Sequence, residues 1–332
     1  MPSYNCGSEV DALIASGFKI MLYRIDGLGE IDIDDLKNLI SHETKVVYVI
    51  HYFGFPQPLE KLRKLCDQRG LFLIEDCALS LFSSSEYEKI GITGDISVYS
   101  FPKTLPVPDG GVLQLNNPSI SSETWSLGKP KVWPVFHAFL PILKSTLVRA
   151  ADEVLGPIPP KLFPARLYLP SQSRDGVHDC RKFPDLPSSY YFDDSLANKA
   201  ISPLTSRLLP SFDPESIRNQ RRRNFLAYLR QLDFSPNVMP LFPNLPPGVC
   251  PLCFPVLMNQ PALMSNELNK HRIASIPWWS GYHQRLPWEN FPDACYLKEH
   301  VLALPVHQGI GDIEVEFISR CFNDLIVRQE FH

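Results

Sequence analysis

The sequence predicts an α/β protein with a mostly parallel central sheet and a small C-terminal α/β domain. Three observations lead there. Short apolar runs alternate with amphipathic, helix-like stretches over roughly the first 115 residues. The run Val46-Val-Tyr-Val-Ile50 is uninterrupted and mostly β-branched, as expected of a strand buried on both faces. An acidic pair, Glu75-Asp76, stands at the carboxyl end of the next apolar run, where parallel sheets place their ligands.

In chain order, Phe18–Arg24 is a first short apolar run, followed by the acidic turn Asp26–Glu30 and a helix at Asp34–Ser41. After the strand at 46–50, Pro58–Arg69 carries Leu59, Leu62 and Leu65 at helical spacing, and Gly70 stops it. Leu71-Phe-Leu-Ile74, Ile96–Ser100 and Val112–Leu115 read as further strands. Residues 1–116 therefore form a first α/β domain. Between residues 117 and 195 prolines, serines and isolated aromatics dominate, with one helical island at Phe136–Leu155, so this stretch reads as an insert. A small α/β domain follows at 196–332. It has a helix at Glu215–Leu232, an apolar stretch at Val249–Met258, and helices at Ala262–His271 and Ile313–Val327. The run Arg221-Arg-Arg223 suits either a solvated helix face or a phosphate.

Composition excludes several functions. Among 332 residues, Lys+Arg 32 against Asp+Glu 36 leaves a formal charge of -4, too little basic field for nucleic-acid binding. With 44% hydrophobic residues the chain has a core to bury, so whole-chain disorder is excluded. The apolar stretch from Trp133 to Leu155 is broken by Pro141, Lys144 and Arg149, which argues against a transmembrane span. The opening residues have no signal-peptide pattern, and cytoplasmic localisation is expected. Eight scattered cysteines suggest reduced thiols rather than a disulfide framework. Only Cys250-Pro-Leu-Cys253 has metal-like spacing, without a second pair nearby, so no metal is expected.

Lys103 lies just past a strand in Tyr99-Ser-Phe-Pro-Lys-Thr-Leu-Pro-Val-Pro-Asp-Gly-Gly111, a loop stiffened by prolines and glycines. A lysine held and desolvated in this way can act as an amine nucleophile. Asp76 ends a neighbouring strand at the same sheet edge. Pyridoxal phosphate requires this pair of groups: a lysine for its aldehyde and a carboxylate for its pyridine nitrogen. Ser100 and the Gly110-Gly111 turn could add phosphate donors.

These segments resemble the DegT/DnrJ/EryC1/StrS family of pyridoxal-phosphate-dependent sugar aminotransferases. The resemblance is carried by Thr44-Lys-Val-Val-Tyr-Val-Ile-His-Tyr-Phe-Gly54, Leu73-Ile-Glu-Asp-Cys-Ala78, Gly94-Asp-Ile-Ser-Val-Tyr-Ser-Phe101, the Lys103–Gly111 loop and Val301-Leu-Ala-Leu-Pro-Val-His307. It implies the pyridoxal-phosphate-dependent transferase-like fold, a three-layer sandwich, and a homodimer. It also implies pyridoxal 5'-phosphate as cofactor, with Lys103 as the Schiff-base lysine, Asp76 as the pyridinium partner and Ser100 as a phosphate ligand. His51 would stand beside the cofactor, touching substrate or acting structurally. The implied reaction transfers an amino group from glutamate to a nucleotide-linked keto-sugar.

The chain also departs from the family pattern. Leu79 stands where a glutamine or histidine usually assists the ring hydroxyl, Cys6 where an aromatic stacks on the ring, and Phe192-Asp-Asp194 in place of an asparagine-tyrosine-arginine motif. The match starts at the family's proline motif, so the expectation is that its serine-glycine-threonine phosphate cup is missing. The alternative expectation is therefore a truncated or degenerate relative that binds without turnover.

Overall fold

The computed structural model describes residues 1–85, 89–120, 126–155 and 183–327. Its first sheet has the order β1 (Val46–Ile50), β2 (Phe72–Asp76), β3 (Ile96–Ser100), β4 (Gly111–Leu115). The first three strands run parallel, and β4 returns antiparallel to β3 with Ser100 opposite Gly111. The connection from β3 back to β4 is residues 101–110, which contain Lys103. The expected mostly parallel sheet is present, closed at one edge by an antiparallel strand.

Helices α1 (Ser8–Ala15), α2 (Ile33–Leu39) and α3 (Leu59–Arg69) accompany this sheet. Their boundaries have local causes. Asp32 caps α2 by accepting from the amides of Asp34 and Asp35. Gly70, at φ 64°, ends α3 in the left-handed conformation that glycine adopts without steric cost. Two features differ from expectation. Phe18–Arg24 forms no regular strand but only an isolated parallel pairing of Tyr23 with Pro2. Ahead of it α1, which the sequence pattern did not reveal, starts from Gly7 at φ 89°.

The C-terminal half holds α5 (Pro203–Leu208), α6 (Pro214–Gln231), α7 (Pro261–Lys270), α8 (Pro292–His300) and α9 (Asp312–Val327). They surround a second sheet, antiparallel throughout, in which β5 (Val238–Pro240), β6 (Cys253–Met258), β8 (Val301–Pro305) and β7 (Ile276–Pro277) are neighbours in that order. Strands β6 and β8 are buried along their whole length. One apolar core runs from Val49 and Leu73 of the first sheet to Phe254 and Leu304 of the second. Backbone bonds cross between the halves as well, with the Leu252 amide donating to the Phe53 carbonyl at 2.8 Å. In the 117–195 region, α4 (Val132–Leu155) begins four residues earlier than the expected 136 and presents Trp133 and Phe136 to solvent. Residues 156–182 of the expected insert lie outside the described residues. No described helix is long and apolar enough to cross a membrane.

Candidate active site

Strand alternation sorts the residues at the carboxyl ends of β1 to β3 onto two faces. With Val49 opposite Glu75 and Ile50 opposite Asp76, Val49, Leu73, Glu75 and Ser97 share one face, while Tyr48, Ile74, Asp76, Val98 and Ser100 share the other. The two adjacent acids of the sequence thus face opposite ways.

On the first face Glu75 is fully buried. Its carboxylate meets His51 Nε2 at 3.0 Å, takes the Gly91 amide at 2.9 Å, and also accepts from the Gly94 amide. The Gln57 amide donates to His51 Nδ1 at 3.1 Å, which leaves the ring proton on Nε2, facing Glu75. Burial pushes the Glu75 carboxyl up, but His51 and the two glycine amides outweigh it and hold the group below its ordinary value of 4.5. Cys77 completes a cluster whose ligand atoms lie within 4.8 Å of one another. Hydrogen bonds inside the protein already occupy the His51 and Glu75 atoms. His51, expected beside the cofactor, is fully buried among these groups and braces the strand ends.

The other face is buried at Ile50 but only half-buried at Asp76 and Ser100. Asp76 is half-buried, accepting from the Tyr48 hydroxyl at 2.8 Å and from the Ala78 amide at 2.9 Å. Burial, then the charges of Asp76 and Glu9, push the Tyr48 phenol well above its ordinary value, so it stays a donor to Asp76. Ser100 ends β3 on this same face, and its hydroxyl makes no hydrogen bond among the described residues. Lys103, also half-buried, makes no hydrogen bond or salt bridge there, although its charge acts on Cys6. The Cys6 thiol donates to Glu9 Oε2 at 2.6 Å and lies 2.9 Å from the Ser8 hydroxyl. Burial and Glu9 push it up to about 12, with Lys103 opposing, so Cys6 stays protonated and is no nucleophile. Tyr190 arrives at this corner from the end of the insert, its phenol raised by burial and then by Cys6 and Glu9. Phe192, expected within the replaced motif, bonds through its amide to Asp11 at 2.6 Å. Leu79 is buried and supplies no polar group.

The loop that carries Lys103 is fastened where it turns back. Asp109 accepts from the Ser202 amide at 2.8 Å and hydroxyl at 2.7 Å, and from the Thr205 hydroxyl. Gly111 cannot be replaced cheaply, because a Cβ there would meet the Tyr99 carbonyl. A second lysine, Lys298 on α8, is 1% exposed and donates to the carbonyls of Asn5 (2.7 Å), Trp279 (3.0 Å) and Gly281 (3.0 Å). Burial lowers it to about 8. It holds the segment just before Cys6 against the C-terminal half.

The strand register puts the expected Asp76 and Ser100 on one face, with Lys103 in the loop that follows β3; sequence reasoning missed Tyr48, Asp109 and Lys298. Tyr48 was legible: it sits two residues before Ile50, and Ile50 pairs with Asp76, which puts Tyr48 on the Asp76 face. Cys250 and Cys253 are buried thiols raised by burial.

The fold, with a carboxylate and a lysine at strand ends of one sheet, is that of the pyridoxal-phosphate-dependent transferases. Helicobacter pylori PseC, an aminotransferase involved in the biosynthesis of pseudoaminic acid, superposes with a TM-score of 0.64 at 18% identity, over 98% of this chain and 79% of its own. Spr1654 from Streptococcus pneumoniae in its PLP-form gives 0.63 at 17% identity, over 98% and 80%. Residues 1–129 match the DegT/DnrJ/EryC1/StrS aminotransferase family. A dTDP-4-dehydro-2,3,6-trideoxy-D-glucose 4-aminotransferase of Saccharopolyspora spinosa is 30% identical over 98% of this chain and 77% of its own length. The chain belongs to the DegT/DnrJ/EryC1/StrS aminotransferase family. GDP-perosamine synthase of Vibrio cholerae is 32% identical over 120 residues, 35% of this chain and only 33% of that protein.

Proposed function

We propose that the protein is a pyridoxal-phosphate-dependent aminotransferase that moves an amino group from glutamate to a nucleotide-linked keto-sugar, working as a cytoplasmic homodimer. One observation carries this reading: Asp76, oriented by the Tyr48 hydroxyl at 2.8 Å, shares its sheet face with Ser100, the residue that ends β3 just before the loop of Lys103. The donor set fits the cofactor. When bound, pyridoxal phosphate supplies a cationic ring that stabilises negative charge at the amino-bearing carbon.

The protein's own residues then have distinct tasks. Asp76 keeps a proton on the pyridine nitrogen, and Tyr48 and the Ala78 amide fix the direction of its carboxylate. Lys103 Nζ would hold the cofactor through its aldehyde carbon and would carry a proton to and from substrate carbon as general base and acid. Ser100 Oγ donates to the phosphate. His51 stays behind the sheet as a brace.

A second reading, a relative that binds without turnover, is favoured by Leu79 and by Cys6, whose thiol is tied to Glu9 instead of presenting a ring. Borohydride reduction in the presence of pyridoxal phosphate, followed by peptide mapping, separates the two. An adduct on Lys103 together with amino transfer from glutamate supports catalysis. An adduct without transfer favours the second reading, and an adduct elsewhere sinks both. Light scattering at twice the chain mass checks the dimer.

A further inference from the structure

The basic run Arg221-Arg-Arg223 is not one surface feature. Arg223 is exposed, and Arg222 is half-buried with its guanidinium on the carbonyls of Pro246 (2.6 Å) and Val249 (2.9 Å). Arg221 points inward and is 2% exposed. Its Nε donates to Gln308 Oε1 at 2.9 Å, Nη1 to the carbonyls of Pro251 (3.2 Å) and Leu252 (3.0 Å), and Nη2 to the carbonyl of Thr104 at 2.9 Å. Gln308 Nε2 donates to that same Thr104 carbonyl at 3.1 Å. Among the described residues no carboxylate pairs with Arg221.

Burying a cation without a carboxylate is costly, and a well-packed apolar side chain in its place is often as stable or more so. Arg221 is therefore poorly explained as packing. Its flat fork instead reaches three chain segments at once with four hydrogen bonds, one more than the three donors of a lysine allow and none of which a hydrophobe could make. One of these is the turn of Lys103, closed internally by the amides of Thr104 (3.0 Å) and Leu105 (2.8 Å) on the Phe101 carbonyl. Desolvation lowers the guanidinium from its ordinary value, as the geometry requires.

We propose that Arg221, with Gln308 relaying it, is a positioning residue that holds the Lys103 turn in its working place from the C-terminal half. The inference rests on the assignment of Lys103 given above. Thr104 has a carbonyl with two external donors, and its neighbour Lys103 is the residue whose amine must be aimed. Arg221 touches neither substrate nor cofactor.

The test uses the full chain without cofactor first. Hydrogen exchange of the peptide covering residues 101–111 should quicken at least about tenfold in Arg221→Met and in the milder Gln308→Leu. The β1–β2 peptides should be unchanged. Arg221→Lys keeps the charge but not the fork and should fail to restore protection. With pyridoxal phosphate at limiting concentration, the borohydride-fixed adduct on Lys103 should fall by a similar factor, and the pH midpoint of the bound-cofactor absorbance should move. Wild-type exchange of the 101–111 peptide in Gln308→Leu and in any folded Arg221 variant, even with a lowered Tm, would overturn the proposal and leave only packing. Faster exchange in a protein whose wild type forms no adduct on Lys103 would sink the catalytic reading while the positioning of the turn stands.

Discussion

Glu75 and Asp76 are neighbours in one strand yet belong to regions of opposite character. Behind the sheet, Glu75 is fully buried, with His51 and two glycine amides on its oxygens. In front, Asp76 is half-buried and keeps acceptor capacity beyond the Tyr48 hydroxyl and the Ala78 amide. The difference teaches what each carboxylate is for. A saturated buried anion stiffens the frame, because nothing further can reach it. A partly satisfied one keeps lone pairs available to a ligand. Substitutions in front should therefore cost activity, and substitutions behind should cost stability.

The largest effect expected is at Asp76. Asp76→Asn should lower amino transfer by about 100-fold, roughly 2.7 kcal/mol of barrier. The borohydride adduct on Lys103 and the urea midpoint should stay close to wild type. An equal loss of stability would erase the distinction between the faces.

Glu75→Gln should behave in the opposite way. It turns an amide nitrogen toward a glycine amide or the His51 ring in a dry site, and leaving a buried donor without a partner costs about 2 kcal/mol of stability, read from urea unfolding. If it instead lowered transfer without changing stability, Glu75 would belong to the active face.

Tyr48→Phe is a smaller perturbation in front. Losing one hydrogen bond to a charged group is worth about 1.5 kcal/mol, so turnover should fall roughly tenfold with the adduct retained. Unchanged turnover would mean that the Ala78 amide alone orients Asp76.

The smallest effect is in the acid limb of stability. Glu75 has a folded pKa below its ordinary 4.5, so its contribution is fully present above that value and is lost as pH falls through the folded one. Asp95 is lowered too: burial raises it, but Arg63 and the Leu73 amide, with Asn117, prevail. Stability should fall below about pH 4.5, and Glu75→Gln should flatten part of that fall without abolishing it. A slope identical to wild type would show that Glu75 does not titrate with unfolding.

How much of this was legible can be argued residue by residue. The strands at 46–50, 72–76 and 96–100 announce themselves because the runs are short and mostly apolar, and β1 is buried along nearly its whole length. Asp76 and Lys103 follow from standing at strand ends. Period-two counting from Leu73 would have put Glu75 behind the sheet, but it needs to be known which face carries the site. Strands β5 and β7 were not legible, since Val238–Pro240 and Ile276–Pro277 are short and contain proline. Neither a solvated helix face nor a phosphate site describes Arg221, because a sequence does not show that one arginine of three turns inward. What it binds lies far along the chain: Gln308 and Thr104 are separated by 204 positions. Local pattern carries no trace of such a partner.

That separation has a consequence for the order in which the protein becomes competent during synthesis. A ribosome adds about 5–20 residues per second, so the Lys103 turn emerges roughly 10–40 s before Gln308 exists to hold it. The first sheet can pair within that interval, since its strands are close in sequence. The turn itself must wait for α6 and then for the segment after β8, while Asp109 waits for Ser202 and Thr205. A nascent chain thus carries the 101–110 turn without its Arg221 and Gln308 donors until residue 308 has been added, so the turn settles only after the segment following β8 has been made.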